Sequence, residues 1–166
     1  NKGFQMKKTM IFAFGIFLSG CKHSEKSSII INAPINEVWS VVSDLGGHDN
    51  FLSITSTSMS PSGEATEGAE WILYMGKDYH KSVVTVVESM KRIETRLVET
   101  QWSDNMTKWS ESMTLNGGPE FTELSWRVDC DFKGTADLVF ASITDGYLKD
   151  LIDKRLESLK DKIEKR

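Results

Sequence analysis

Glu111 is the residue whose chemistry is most exposed by its sequence context, because it stands where the pattern calls for an apolar side chain. In Met106 to Leu115, alternation puts Thr107, Trp109, Glu111, Met113 and Leu115 on one face of a strand, and that face is the inward one. A carboxylate there is costly to bury alone. Either its pKa rises, or a partner meets it, or the wall opens and lets it reach water. Inside a cavity such a group can hold a ligand hydroxyl or act as a general acid or base. Trp71, Trp109, Met113, Trp126, Phe140, Thr144, Tyr147 and Leu151 fall on the other inward positions. They suit a binding cavity that is mostly apolar with a few polar groups, and they equally suit a filled core.

Two histidines add to this set. His48, beside Phe51, is either a hydrogen-bonding group at a cavity mouth or a solvated loop residue. Tyr79-His80 opens a strand, so one of the pair faces inward and the other outward, and alternation so near a strand end does not choose. The third histidine, His23, and the two cysteines, Cys21 and Cys130, complete no metal-ligand spacing. Gly117-Gly118 leads into a strand and not a helix, which excludes a phosphate loop, and there is no Gly-x-Ser-x-Gly nucleophile elbow. No metal or organic cofactor is expected.

The elements that must position these residues are legible in the patterning. Ile29, Ile30 and Ile31 suit a strand over Ser28 to Asn32. Pro34 then opens a helix with Glu37 near its positive end, and Ile35, Val38, Trp39, Val42 and Leu45 form one apolar face. Gly46-Gly47 ends it, and His48 to Leu52 is expected as a second short turn. Six strands come next: Ser53 to Met59, Glu70 to Met75, Tyr79 to Ser89, Ile93 to Gln101, Met106 to Leu115 and Phe121 to Phe132. The short connections between them, such as Gly76-Lys77-Asp78, predict hairpins and an antiparallel meander. In the last strand Leu124, Trp126, Val128, Cys130 and Phe132 face a cover, while Glu123, Arg127 and Asp129 face water. That cover is a C-terminal helix of about 25 residues, spanning nearly 40 Å, with Phe140, Thr144, Tyr147, Leu148, Leu151, Ile152, Leu156, Leu159 and Ile163 at helical spacing.

Length and charge set further bounds. The 166 residues suit one domain with a real core, and 39% hydrophobic with 27% charged is the balance of a folded globular chain. Lys2, Lys7 and Lys8 all precede Cys21, so the remainder carries 17 basic and 24 acidic groups, a net of −7. An acidic domain argues against nucleic acid as a partner. The two cysteines allow one disulfide at most, and their contexts do not support it.

The first residues read as an address. Met6-Lys7-Lys8 gives a basic start, Met10 to Leu18 a short apolar run, and Leu18-Ser19-Gly20-Cys21 a small-residue end. The run is about half of the roughly 20 residues a spanning helix needs. Leu18-Ser19-Gly20-Cys21 resembles the lipobox of bacterial lipoproteins, which implies cleavage before Cys21 and lipid attachment to it. Residues 1–20 are then a signal peptide with an upstream extension at 1–5, residues 21–27 a polar tether, and 28–166 the domain. The residue after Cys21 is Lys22 and not Asp, which by resemblance to Gram-negative sorting implies the outer membrane, on its periplasmic side.

The stretch Ile30-Ile31-Asn32-Ala33-Pro34-Ile35-Asn36-Glu37-Val38-Trp39, with Asp44-Leu45 beyond, resembles the opening of the START-related polyketide cyclase/dehydrase and lipid-transport family, also called SRPBCC or helix-grip proteins. Gly68, Lys91-Arg92, Thr122, Trp126 and Leu156 to Lys160 fall where that family has similar residues. The likeness covers roughly Ser28 to Glu164, and it departs at Phe51, where the family often has Trp. It implies an α+β helix-grip fold: a curved antiparallel sheet of about seven strands around a long C-terminal helix, with two short helices after the first strand. It also implies a cavity for a hydrophobic small molecule or lipid, lined by Phe51 and the inward residues named above. Fold alone does not fix function. Three readings are compatible with it: a lipid-anchored binding or carrier protein, a cyclase, dehydratase or isomerase using Glu111, and a protein-interaction module of the envelope.

Overall fold

In the computed structural model, one seven-stranded antiparallel sheet holds a long helix against its inner face. The structure describes residues 22–48, 54–133 and 137–165, with side chains of the last segment from Gly146 onward. The chain starts at a sheet edge with β1 (Lys22–Ile31), crosses over through α1 (Ile35–Val42) and a 3-10 turn (Leu45–Gly47), and enters the far edge as β2 (Ser56–Ser60). It then returns strand by strand through β3 (Glu70–Met75), β4 (Asp78–Glu88), β5 (Arg92–Thr100), β6 (Met106–Gly117) and β7 (Thr122–Phe132). The order β1-β7-β6-β5-β4-β3-β2 places β7 back beside β1. The hairpin chemistry is local: Gly76 turns β3 into β4 at φ +62°, a left-handed conformation that glycine adopts without a Cβ clash.

The first strand departs from expectation. Residues 22–27, expected as a tether, are the first part of β1, which pairs with β7 from Lys22 opposite Asp131 to Ile31 opposite Thr122. Their side chains alternate exposed and half-buried, so no apolar stripe advertises the strand. Backbone pairing along a long neighbour does not need one.

Pro34 precedes α1 with extended backbone, and the helix buries Val38, Trp39, Val41 and Val42. Trp39 Nε1 donates to Glu64 at 2.6 Å, tying the helix to the loop before β3. The second short helical element is the 3-10 turn at Leu45–Gly47, ahead of the expected His48 to Leu52, and Phe51 lies outside the described residues.

α2 (Asp137–Glu164) is 28 residues, about 42 Å of helix. It buries Leu148, Ile152, Arg155, Leu156, Leu159 and Ile163. Its outer turns are tied to β1 and to Asn32 just beyond that strand. Ser27 donates to Asp153, Lys160 Nζ to the Ile30 carbonyl at 2.8 Å, and Glu164 accepts from the Asn32 backbone at 2.8 Å. Tyr147, expected inside, is 51% exposed. It sits one residue, about 100° of helix rotation, from the buried Leu148, which carries it off the stripe. Thr107, also expected inside, is exposed, because a register shift between Met106 and Lys108 breaks the alternation at the start of β6.

Candidate functional site

The inner face of the sheet under α2 is aromatic and polar at its centre. Trp71 of β3, Trp109 and Met113 of β6 and Trp126 of β7 are all buried there, as expected from alternation. Leu151 of α2 is half-buried against the same core. Phe140 and Thr144 have side chains outside the described residues, and Cys21 lies outside them altogether.

Glu111 is 3% exposed and fully engaged. Its Oε1 accepts from Trp109 Nε1 at 2.9 Å, and its Oε2 accepts from Trp126 Nε1 at 3.0 Å and from Arg155 at 3.3 Å. Of the three outcomes open to a carboxylate at this position, the structure selects the partner and excludes the opening to water. The guanidinium of Arg155 lies 3.6 Å from the ring centre of Trp126 and 4.8 Å from that of Trp71, so its flat faces rest on indole π-clouds. Burial lowers the Arg155 pKa to about 9 while the Glu111 charge raises it, and the group stays charged at neutral pH.

Arg155 is the residue that sequence reading passes over. The signal was present: Arg155 lies four residues after Leu151 and seven after Leu148, on the apolar stripe of α2. A charge on that stripe is the natural partner of a carboxylate on the facing sheet.

Both inner histidines are held neutral. His48 is 3% exposed, its Nε2 donates to the Val41 carbonyl at 3.0 Å, and its ring stands edge-on to Trp71 at 6.3 Å. Burial, helped by the nearby Arg155 charge, lowers its pKa to about 3. The solvated alternative for His48 is thereby excluded. His80 is the inward member of its pair, while Tyr79 points out and donates to Glu99. The His80 ring is fully buried, 4.6 Å from Trp102 and 5.5 Å from Trp109 between ring centres. Burial and then the Arg155 charge lower its pKa to about 4.

A band of polar atoms runs beside the ion pair without protein partners. Among the described residues, neither ring nitrogen of His80 is hydrogen-bonded, nor are Ser82 Oγ, Thr95 Oγ1 and Trp71 Nε1. His80 and Ser82 are two residues apart on the inner face of β4, and Thr95 of β5 stands directly opposite Glu111 in the ladder. Ser82 and Thr95 do not stand out in the sequence, although Thr95 interrupts the inward series Ile93, Thr95, Leu97 just as Glu111 interrupts its own. No three His, Cys, Asp or Glu side chains among the described residues gather as a metal site needs.

These features define a helix-grip fold with a polar patch under the gripping helix. The chain belongs to the polyketide cyclase/dehydrase and lipid transport family, whose sequence profile matches residues 22–164. No curated protein matches the sequence. Among solved structures it is similar to Ara h 8.0201, with a TM-score of 0.66 and 12% identity over 88% of this chain and 100% of that one. It is also similar to norcoclaurine synthase from Thalictrum flavum in complex with dopamine and hydroxybenzaldehyde, with a TM-score of 0.61 and 15% identity over 93% and 96% of the two chains. At such identities the likeness establishes the shared fold, and the chemistry rests on the residues above.

Proposed function

We propose that this protein binds or carries a small, largely apolar molecule between the inner face of the sheet and α2. One observation carries the reading: among the described residues, buried inward-facing polar atoms of His80, Ser82, Thr95 and Trp71 lack hydrogen-bond partners, and the His80 ring packs against Trp102 and Trp109. Buried polar groups are nearly always hydrogen-bonded, so such a set points to a guest that completes it. Family membership supports the same reading. Catalysis by Glu111 is disfavoured, because three donors already occupy its two oxygens and proton transfer would first have to dismantle them. Titration with the neutral dye Nile red tests the reading. One site per chain is expected, weakened by Leu151→Trp, and absence of saturable binding refutes it.

The proposal extends to location. The Lys7-Lys8 start, the apolar run and Leu18-Ser19-Gly20 support lipid attachment at Cys21 and residence at the bacterial envelope. No helix among the described residues is long and apolar enough to cross a membrane. An anchor at Cys21 would stand one residue before Lys22, which already belongs to β1.

A further inference from the structure

We infer that the ligand's polar group is an uncharged hydroxyl, bound by His80 with Ser82 and Thr95 as neighbouring contacts. This inference rests on the binding function proposed above and goes on to name the chemical class. The donor and acceptor types decide it. A neutral imidazole offers one N–H and one bare nitrogen, and both His80 nitrogens lack protein partners among the described residues. The hydroxyls of Ser82 and Thr95 each donate and accept, and Trp71 Nε1 donates only. A hydroxyl, which donates and accepts and can rotate, matches either nitrogen of His80. A carboxylate only accepts, so it can meet the N–H of the imidazole but never the bare nitrogen. An ammonium only donates and opposes the indole N–H.

Charge gives the same answer independently. Among the described residues, the buried formal charges beside this band are Glu111 and Arg155, which face each other at 3.3 Å and offset one another. A ligand bringing a net charge adds a third, for which the described residues supply no further buried counter-charge, and a buried site strongly disfavours that. His80 does not supply one, since burial and the Arg155 charge hold its pKa near 4.

The test is displacement of Nile red from the full chain at neutral pH by four probes sharing one apolar body: naphthalene, naphthol, naphthoate and naphthylmethylammonium. Naphthol is expected to outcompete naphthalene by roughly tenfold, the value of about one hydrogen bond, with both ions weaker than naphthol. In His80→Phe, which keeps a ring between the tryptophans, the naphthol-to-naphthalene ratio should fall toward that of partition into an apolar solvent. Thr95→Val, a near-isosteric change, provides the same readout with a smaller fall where His80→Phe does not fold. If naphthoate or the ammonium binds better than naphthol, or if the ratio is the same in wild type and both variants, the inference is overturned. Failure of Nile red itself to bind refutes the binding function, a separate outcome from failure of the hydroxyl preference.

Discussion

Replacing Glu111 by Gln keeps the shape of the side chain and removes its charge, so it isolates what the carboxylate does for the fold. Glu111 and Arg155 are each 3% exposed and their charged atoms are 3.3 Å apart. At an effective dielectric constant of about 20 their attraction is worth roughly 5 kcal/mol, most of which offsets the cost of burying the two ions. Glu111→Gln removes the carboxylate charge that stands 3.3 Å from the buried guanidinium. It also replaces an acceptor oxygen by an NH₂ group facing an indole N–H or the guanidinium, donor against donor. Breaking a buried pair from one side costs about 3–5 kcal/mol, and that is the expected loss in urea unfolding followed by tryptophan fluorescence at pH 7. Arg155→Met should also destabilise, by less, because two indole N–H groups still meet the carboxylate. The double variant should be more stable than the sum of the single losses implies, by at least about 2 kcal/mol of coupling. A loss below about 1 kcal/mol for Glu111→Gln, or additive single and double effects, would refute the account of this pair as the charge-balanced centre of the interior.

Three further outcomes are expected from the same structure. His48 and His80 have folded pKa values near 3 and 4 against about 6.5 unfolded, so the unfolded chain takes up protons first. Stability is then fully present well above pH 6.5 and falls by about 2–3 kcal/mol per pH unit between about 6 and 4.5; flat denaturant midpoints across that window would contradict it. Trp39→Ala removes a side chain that is 6% exposed together with its bond to Glu64, and a loss of about 3–5 kcal/mol is expected by thermal or urea unfolding, with less than about 1 kcal/mol counting against the packing described. Cys21→Ser should move the protein from the detergent phase to the aqueous phase on Triton X-114 partition without changing its unfolding curve, and an unmodified Cys21 in the wild type would sink the lipid-anchor proposal.

Most of the architecture could be read from periodicity. The six strands after the first helix fall within a few residues of the alternating segments, and β3 coincides with Glu70 to Met75. The elements that escaped did so for physical reasons. Lys22 to Ser27 pairs with β7 along its backbone, and its inward side chains, His23, Glu25 and Ser27, are polar and only half-buried, so the segment carries no hydrophobic signature. Tyr147 misled because an aromatic beside an apolar stripe scores like a member of it, while helix rotation puts it outside. In the site, Glu111 was conspicuous because it broke an alternating pattern. Arg155 broke a helical one as clearly, but a long basic side chain on a surface helix ordinarily reaches to water, so its inward course depends on the carboxylate it meets. Pair partners from distant segments, 44 residues apart here, are visible only when both breaks are read together.

The two kinds of buried polarity in this interior have different consequences. The Glu111 carboxylate is closed: two indole donors and Arg155 meet its two oxygens, so it needs no ligand to complete it. The band of His80, Ser82 and Thr95 is open, and each unmet group there costs on the order of 1–3 kcal/mol relative to a matched apolar side chain. An apolar residue at any of these positions is expected to make a more stable free protein, which is the outcome the ligand-binding proposal requires. A guest that meets even two of these groups recovers several kcal/mol on binding, which is differential stabilisation of the liganded state. The prediction is therefore thermodynamic as well as chemical: Thr95→Val and Ser82→Ala should raise the unfolding temperature of the free protein and lower the increment that naphthol adds to it. Stabilisation of the free form without loss of that increment would show that these hydroxyls serve neither the fold nor the ligand.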